Sequence, residues 1–407
     1  MKTRLGDQLD VHTARRNAWL AWLGAGVALT GVQMIAPSLP VMQESLGLTE
    51  NDLALVMSVY LLPATLASIP IGMVADRVGR RIVFGSSLLL FGVCGVLLAT
   101  TSDFTQFLVI RFVQGLAFAG LLPLTMTILG DSFNGPELVG ALGGRSVAIS
   151  IADTVPPVIG GFLASMDWFW PWLGQAAAIP LGVVVLIYLE DPPSLGPTSS
   201  RHAPKVKALL SLFRRAPIVA LQYSGFLRMF LKFCILTFLP LFLVTTRSLS
   251  PTFAGLAVGA ASLTGAVLAA LSGRLARLGH PTWWVMGGSI AMGASLIGMV
   301  VMPWSGAILG AALVYGAGDG AMGVFVNSFV AAATDTEQRA SFVSWTGAIR
   351  NFGKFIAPVA FAGLMMVQSI YGSFIIAGVA ALGSALLFRL LKPLEGNLAR
   401  RGQPVET

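Results

Sequence analysis

Three features of the sequence predict an all-α protein built into a membrane, with twelve crossing helices arranged as two halves of six. The first is composition. Of the 407 residues, 55% are hydrophobic and 11% charged, and the mean hydropathy is +0.79. That leaves too little polar surface to cover a soluble globule of this length. The second is the recurrence, along the whole chain, of apolar stretches of about twenty residues, the length at which a helix crosses a ~30 Å hydrocarbon layer. The third is the placement of positive charge. A transmembrane β-barrel would show alternating segments of about ten residues, a pattern absent from the sequence.

In chain order the expected spans are 17–39, 53–74, 82–100, 104–129, 138–163, 169–189, 218–244, 252–272, 282–302, 305–332, 341–366 and 371–391. The first follows a basic leader and lacks a short apolar core with a small-residue cleavage site, so it reads as a retained helix. The second leads into a polar loop, GMVADRVGRR, from Gly72 to Arg81. There Gly72 and Gly79 permit a tight turn, and Asp76 can accept from helix amides or from Arg77, Arg80 or Arg81. The fourth contains RFVQG, Arg111 to Gly115, and the fifth contains PPVIGG, Pro156 to Gly161. For Pro157, Gly160 and Gly161 the plain physical reading is a kinked helix with small-residue packing. The seventh carries RMFLKF, Arg228 to Phe233, and the eighth is followed by GRLARLG, Gly273 to Gly279. The tenth holds GAGDGAMG around Asp319, and the eleventh carries RNFGKF, Arg350 to Phe355.

The net charge of +8 is spread unevenly. With the N-terminus inside, the cytoplasmic segments hold nineteen cations: Lys2, Arg4, Arg15, Arg16, Arg77, Arg80, Arg81, Arg201, Lys205, Lys207, Arg214, Arg215, Arg274, Arg277, Arg339, Arg389, Lys392, Arg400 and Arg401. The outside loops hold one, Arg247. This bias places both termini in the cytoplasm of a bacterial-type inner membrane. Anionic lipid headgroups then account for the basic excess, with no nucleic-acid partner. Cys94 and Cys234 fall within spans, where they pack as small hydrophobes and imply no disulfide framework. His12, His202 and His280 all fall in cytoplasmic segments, so no histidine relay crosses the membrane.

The longest polar interval, from Asp191 to Lys207, is rich in Pro, Gly, Ser and basic residues. It sets the expected domain order: an N-terminal half 1–190, a cytoplasmic linker 191–217, and a C-terminal half 218–407. Superposing Pro157 on Pro358 sets Asp153 opposite Lys354, and superposing Gly115 on Gly320 sets Gln114 opposite Asp319. Polar groups at matching depths in two halves fit a duplicated carrier with a site between its repeats.

The loop from Gly72 to Arg81 resembles the signature loop of the major facilitator superfamily: glycine, three residues, Asp-Arg, one residue, Gly-Arg-Arg. Arg111 to Gly115 is similar to its Arg-x-x-Gln-Gly motif. Pro156 to Gly161 is similar to the Gly-Pro-x-x-Gly-Gly motif of its drug/proton antiporter branch, with Pro156 in place of the glycine. The second-half copy of the loop, Gly273 to Gly279, lacks the aspartate. The resemblance implies that Gly72, Asp76, Arg77, Gly79 and Arg80 form a latch between the halves in one state of a transport cycle. It also implies that the kink at Pro157, Gly160 and Gly161 helps close the outer side, and it leaves the substrate unnamed.

Apart from Arg389 at the inner end of the last, which is counted with the cytoplasmic set, the spans contain six cations, Arg111, Arg145, Arg228, Lys232, Arg350 and Lys354, against two acids, Asp153 and Asp319. Six cations facing lipid would cost on the order of 15–20 kcal/mol, so most must face a wet cavity or a partner. Arg145, nearest a cytoplasmic end, can snorkel. Arg228 and Arg350 lie at about the same depth, with Lys232 and Lys354 one turn deeper, so each pair presents two donors from one helix face. Two readings follow. In one, the acids pair with two cations and burial neutralises the lysines. In the other, Arg228, Lys232, Arg350 and Lys354, with Arg111 and Gln114, form an anion-attracting chamber. The acids likewise read either as proton carriers, Asp319 first and Asp153 second, or as members of fixed salt bridges.

No His-rich cluster, Gly-x-Ser-x-Gly elbow, metal-ligand set or Walker loop is present, which argues against an enzyme or an ATP-driven pump. The expectation is a proton-coupled secondary antiporter, working as a monomer without cofactor or metal, that exports small anionic or amphipathic molecules by alternating access. The alternatives are a proton-coupled importer of organic anions and a non-transporting membrane receptor.

Overall fold

The computed structural model describes residues 10–191, 215–333 and 336–396, and among them the chain is helical throughout with short turns. α1 (Val11–Gln33) gives way at a 3₁₀ turn, Ala36–Ser38, to α2 (Leu39–Leu46). Pro37 and Pro40 each remove an amide donor there, which breaks the helix within the first crossing. α3 (Glu50–Val78) starts at a capping box, with the Thr49 hydroxyl accepting from the Asp52 amide and the Asp52 carboxylate from the Thr49 amide. α4 (Arg80–Thr100), α5 (Phe104–Ser132) and α6 (Gly135–Ala164) follow, then α7 (Trp170–Gly174) and α8 (Ala178–Tyr188).

α9 (Ala216–Leu241) ends in a π-helical turn, Phe242–Thr246. After it come α10 (Pro251–Ala270), α11 (Ser272–Leu278), α12 (Pro281–Val301), α13 (Ser305–Ala332), α14 (Thr336–Val367) and α15 (Ile370–Leu387). Among the described residues, 11 helical stretches are long and apolar enough to cross a membrane. α14, with 32 residues, occupies the place of the eleventh expected span and carries Arg350 and Lys354. The linker expected over 191–217 lies, from 192 to 214, outside the described residues, as do Lys2, Arg4, Arg400 and Arg401.

The chain forms two compact units. One contains the described residues up to Asp191 together with Leu243–Leu256, and the other contains the remainder from Arg215 onward. In the first, large apolar side chains such as Leu66, Ile69, Val109 and Val139 are exposed. Hydrocarbon gives no solvent drive for helices to associate, so close approach through small residues takes over. Gly115 lets α5 lie on α3, because a Cβ there would collide with the Tyr60 carbonyl oxygen. In the second unit, Gly316 and Gly320 of α13 likewise lie against the backbone of Ala261 and Gly265 in α10.

One device recurs in both units. Neither α4 nor α12 is capped by its own N-cap side chain. In each, the amide of the second helical residue donates to an acid more than 100 residues further along the chain in the same unit. Arg81 N donates to Asp191 Oδ1 at 3.0 Å, and Thr282 N donates to Glu395 Oε1 at 3.0 Å. A carboxylate at a helix N-terminus satisfies an orphan amide and complements the helix dipole. Cys94 and Cys234 are both free thiols and buried.

Candidate functional site

The second unit gathers charge at the meeting of α9, α13 and α14. Arg228 of α9 forms an ion pair with Asp319 of α13: Nε lies 2.7 Å from Oδ1, and Nη2 donates to Oδ2 at 3.1 Å. Nε also lies 3.0 Å from the Asp319 carbonyl oxygen. The side chains retain only 15% and 12% exposure, so both partners are largely withdrawn from water. Asp319 has only apolar neighbours along the chain, and its ion-pair partner lies 91 residues away on another helix. Tyr315, one turn before Asp319, is buried with no hydrogen-bond partner for its hydroxyl.

Arg350 of α14 reaches the same helix one step along, donating from Nη1 to Asn327 Oδ1 at 2.7 Å. Asp319, Gly323 and Asn327 are spaced at i, i+4 and i+8 and so share a stripe of α13. The two guanidiniums thus meet one helix face that offers one carboxylate and one neutral amide. The RMFLKF and RNFGKF helices pack directly side by side: a Cβ at Gly353 would lie 2.9 Å from the Phe226 carbonyl oxygen. Lys232 and Lys354 are half-buried on α9 and α14.

The first unit holds a different arrangement. Arg111 is completely buried, donating from Nη1 to Gln114 Oε1 at 2.6 Å, from Nη2 to the Gly31 carbonyl at 2.8 Å and from Nε to the Val56 carbonyl at 3.1 Å. Its guanidinium lies 4.0 Å from the ring centre of Tyr60 and 5.0 Å from that of Trp172. Helix carbonyls have a second lone pair free to accept, so three donors are met without a carboxylate, and the aromatic faces add cation–π attraction. Gln114 extends the chain, donating to Gln175 Oε1 at 2.5 Å and to the Phe91 carbonyl at 3.1 Å. Arg111 and Gln114 therefore tie α1, α3, α4 and α5 together and offer no accessible surface in this conformation. Asp153 of α6 accepts from Gln33 Nε2 at 2.5 Å, at the end of α1. Arg145, for which snorkelling was open, instead donates to Thr125 Oγ1 at 2.7 Å and to the Leu122 carbonyl at 3.1 Å.

The loop between α3 and α4 is built around Gly79, whose φ of 105° lies in the region that disfavours a side chain. Arg80 pairs with Asp131 of α5 and, at 3.4 Å, with Asp76. Arg81 Nε donates to the Leu186 carbonyl at 2.6 Å, while Arg77 and Asp76 remain exposed and Gly72 meets nothing within 4 Å of an added Cβ. In α6, a Cβ at Gly160 would strike the Met34 carbonyl and one at Gly161 the Pro251 carbonyl. Pro157 is buried on the same turn, so this segment is a close-packing surface.

Gln33, Gln175, Asn327 and Asp131 were not singled out by the sequence. A lone amide inside an apolar span is the same kind of signal as a lone acid, and the i, i+4, i+8 stripe of Asp319, Gly323 and Asn327 was there to read.

Membrane-length helices with ion pairs and a buried cation in their interiors define a multi-pass membrane protein with polar sites inside the bilayer. The chain belongs to the Major Facilitator Superfamily, whose family model matches residues 21–358 and 223–406. It is 32% identical over 154 residues to the Bacillibactin exporter of Bacillus subtilis (strain 168), a stretch covering 36% of this chain and 38% of that protein. It is 27% identical over 183 residues to the Quinolone resistance protein NorA of Staphylococcus aureus, covering 45% of each. The matched stretches thus span less than half of either relative. A bacterial homolog of the human lysosomal transporter Spinster, inward-facing and unoccupied, has a TM-score of 0.74 at 15% identity, covering 96% of this chain and 97% of that one. At that identity the likeness shows the fold.

Proposed function

We propose that this protein is a proton-coupled secondary transporter that carries small anionic or amphipathic molecules outward across a bacterial inner membrane, with both termini and the linker in the cytoplasm. The observation that carries the reading is that two guanidiniums meet one stripe of α13, Arg228 at the Asp319 carboxylate and Arg350 at the neutral amide of Asn327. Asp319 fills the fork of Arg228, while Arg350 donates to a neutral amide. An incoming anionic group can take the place of the Asp319 carboxylate on Arg228 and gain a second charge-assisted contact from Arg350. Lys232 and Lys354, one turn deeper on the same two helices, add point charges that adjust to the substrate. The outward direction is supported by the relatives, whose names denote export and resistance. In this reading Asp76 and its loop act as the latch, and the Pro157, Gly160 and Gly161 turn as the seal of the outer side.

The Arg228–Asp319 pair also favours a second reading. A proton on Asp319 frees Arg228 for an anion, so proton and anion bind together, which is the order of a proton-coupled importer. The two readings differ in the sign of proton flow. With a pH-sensitive dye trapped in proteoliposomes, export by antiport moves protons against the anion and import by co-transport moves them with it. The anion reading itself is tested by binding of candidate anions and their neutral analogues to wild type, Arg228→Ala and Arg350→Ala. Losing one charge-assisted bond weakens binding about ten- to a hundredfold. A true substrate that binds both variants as tightly as wild type, or that is a cation, refutes it.

A further inference from the structure

We infer that Gly323 and Gly225 are positioning residues: each is the seat on which one of the two arginines lies, and together they set where the guanidiniums point. The inference rests on the anion site proposed above and names what determines its geometry. A Cβ built on Gly323 of α13 would sit 2.6 Å from Cζ, 2.7 Å from Nη2 and 2.9 Å from Nε of Arg228, all atoms of the guanidinium itself. A Cβ on Gly225 of α9 would sit 3.0 Å from Nε and 3.4 Å from Cγ of Arg350. Real Cβ atoms essentially never approach as closely as at Gly323, so a methyl group there must move Arg228; at Gly225 the contact is tighter than nine in ten real ones, so Arg350 must give by a few tenths of an ångström. The nearest atoms at Gly323 belong to the far end of a flexible side chain, which can yield without parting the helices.

The two seats follow one rule. Arg228 crosses from α9 onto α13 at Gly323, one turn beyond Asp319 and one turn before Asn327. Arg350 crosses from α14 over α9 at Gly225, and its far end reaches Asn327. Gly225 lies three residues before Arg228, so the path of Arg350 over α9 adjoins the root of Arg228. Asp319 and Asn327 are eight residues apart, about 12 Å along a helix, and the seats fix where each guanidinium falls along that interval. The seats therefore tune which anions can touch both forks.

The test is a set of melting curves on the purified full-length protein in detergent, with Gly323→Ala and Gly225→Ala each made in wild type, Arg228→Ala and Arg350→Ala. Alanine is the better helix former, so a glycine with nothing against it gains stability on substitution. Gly323→Ala should lower the melting temperature in wild type and in Arg228's presence with Arg350→Ala, yet raise it in Arg228→Ala, where the seat is empty. Gly225→Ala should show the mirror pattern, turning from harmful to helpful only in Arg350→Ala. A purely packing role for the glycines predicts the same loss in all three backgrounds, and a gain already in wild type means there is no seat. Either result overturns the inference. The anion reading fails separately, if Arg228→Ala and Arg350→Ala bind the transported anion as tightly as wild type while the melting pattern holds.

Discussion

Removing Asp319 should expose how much of the second unit depends on its ion pair with Arg228. The pair is close, at 2.7 Å between Nε and Oδ1 and 3.1 Å between Nη2 and Oδ2, and its side chains are 15% and 12% exposed. Truncating one member of a buried pair leaves the other charge uncompensated, which costs about 3–5 kcal/mol. A remaining route to water from these partly exposed groups puts Asp319→Ala near the lower end, about 3 kcal/mol. Arg228→Ala should cost less, because a lone carboxyl can take a proton and become neutral while a guanidinium cannot. The double variant removes both charges, and its cost should fall short of the sum of the singles by about 2–3 kcal/mol. Denaturant unfolding in detergent, followed by the fluorescence of the tryptophans, reads all four proteins. Additive costs within about 0.5 kcal/mol would show that the two groups do not act on each other, and the site's central contact would be lost.

Arg111→Lys should destabilise the first unit by about 2–4 kcal/mol, because one ammonium cannot reach acceptors spread over α1, α3 and α5 or stack on Tyr60. An unchanged melting temperature would refute the fork. Asp191→Ala and Glu395→Ala should each cost about 0.5–2 kcal/mol as lost helix caps and add independently, since they serve different helices. Amide exchange at the start of α4 and of α12 checks this, and unaltered protection there would contradict it. A cysteine placed at Ser200 should resist an impermeant thiol reagent in intact cells. Cys94 and Cys234 are buried and so give little background. Labelling from outside would overturn the assigned topology.

The crossing helices could be read closely from hydropathy, as with the span expected over 305–332 that became α13, Ser305–Ala332. Breaks inside spans were harder, because apolarity does not change where geometry does. The first span runs on through Ala36–Ser38 by composition, yet Pro37 and Pro40 split it into α1 and α2. The split of the sixth span at Gln175–Ala177 left no hydropathy signal either. At the site, the charged residues were legible and their partners were not. Six cations and two acids admit many pairings, and only the packing of α9 against α13 selects Arg228 for Asp319. The three carbonyl and amide acceptors of Arg111 come from three helices, so no local pattern announces that it can be satisfied without an acid. The caps on α4 and α12 are supplied from 110 and 113 residues away, beyond the reach of any capping rule read along the chain.

In the proposed cycle, anion recognition by Arg228 and Arg350 is linked to a proton through Asp319, and uphill transport in proteoliposomes tests that link. Vesicles carrying wild type, Asp319→Asn or Arg228→Ala are given a labelled organic anion identified by a screen of cells lacking and overproducing the protein, with and without an imposed pH gradient. Wild type should accumulate the anion against its gradient and lose it when a protonophore is added. Asp319→Asn should exchange labelled for unlabelled anion yet accumulate nothing, and Arg228→Ala should do neither at the wild-type substrate concentration. Accumulation by Asp319→Asn at the wild-type level, or wild-type accumulation that ignores the protonophore, would contradict coupling through Asp319.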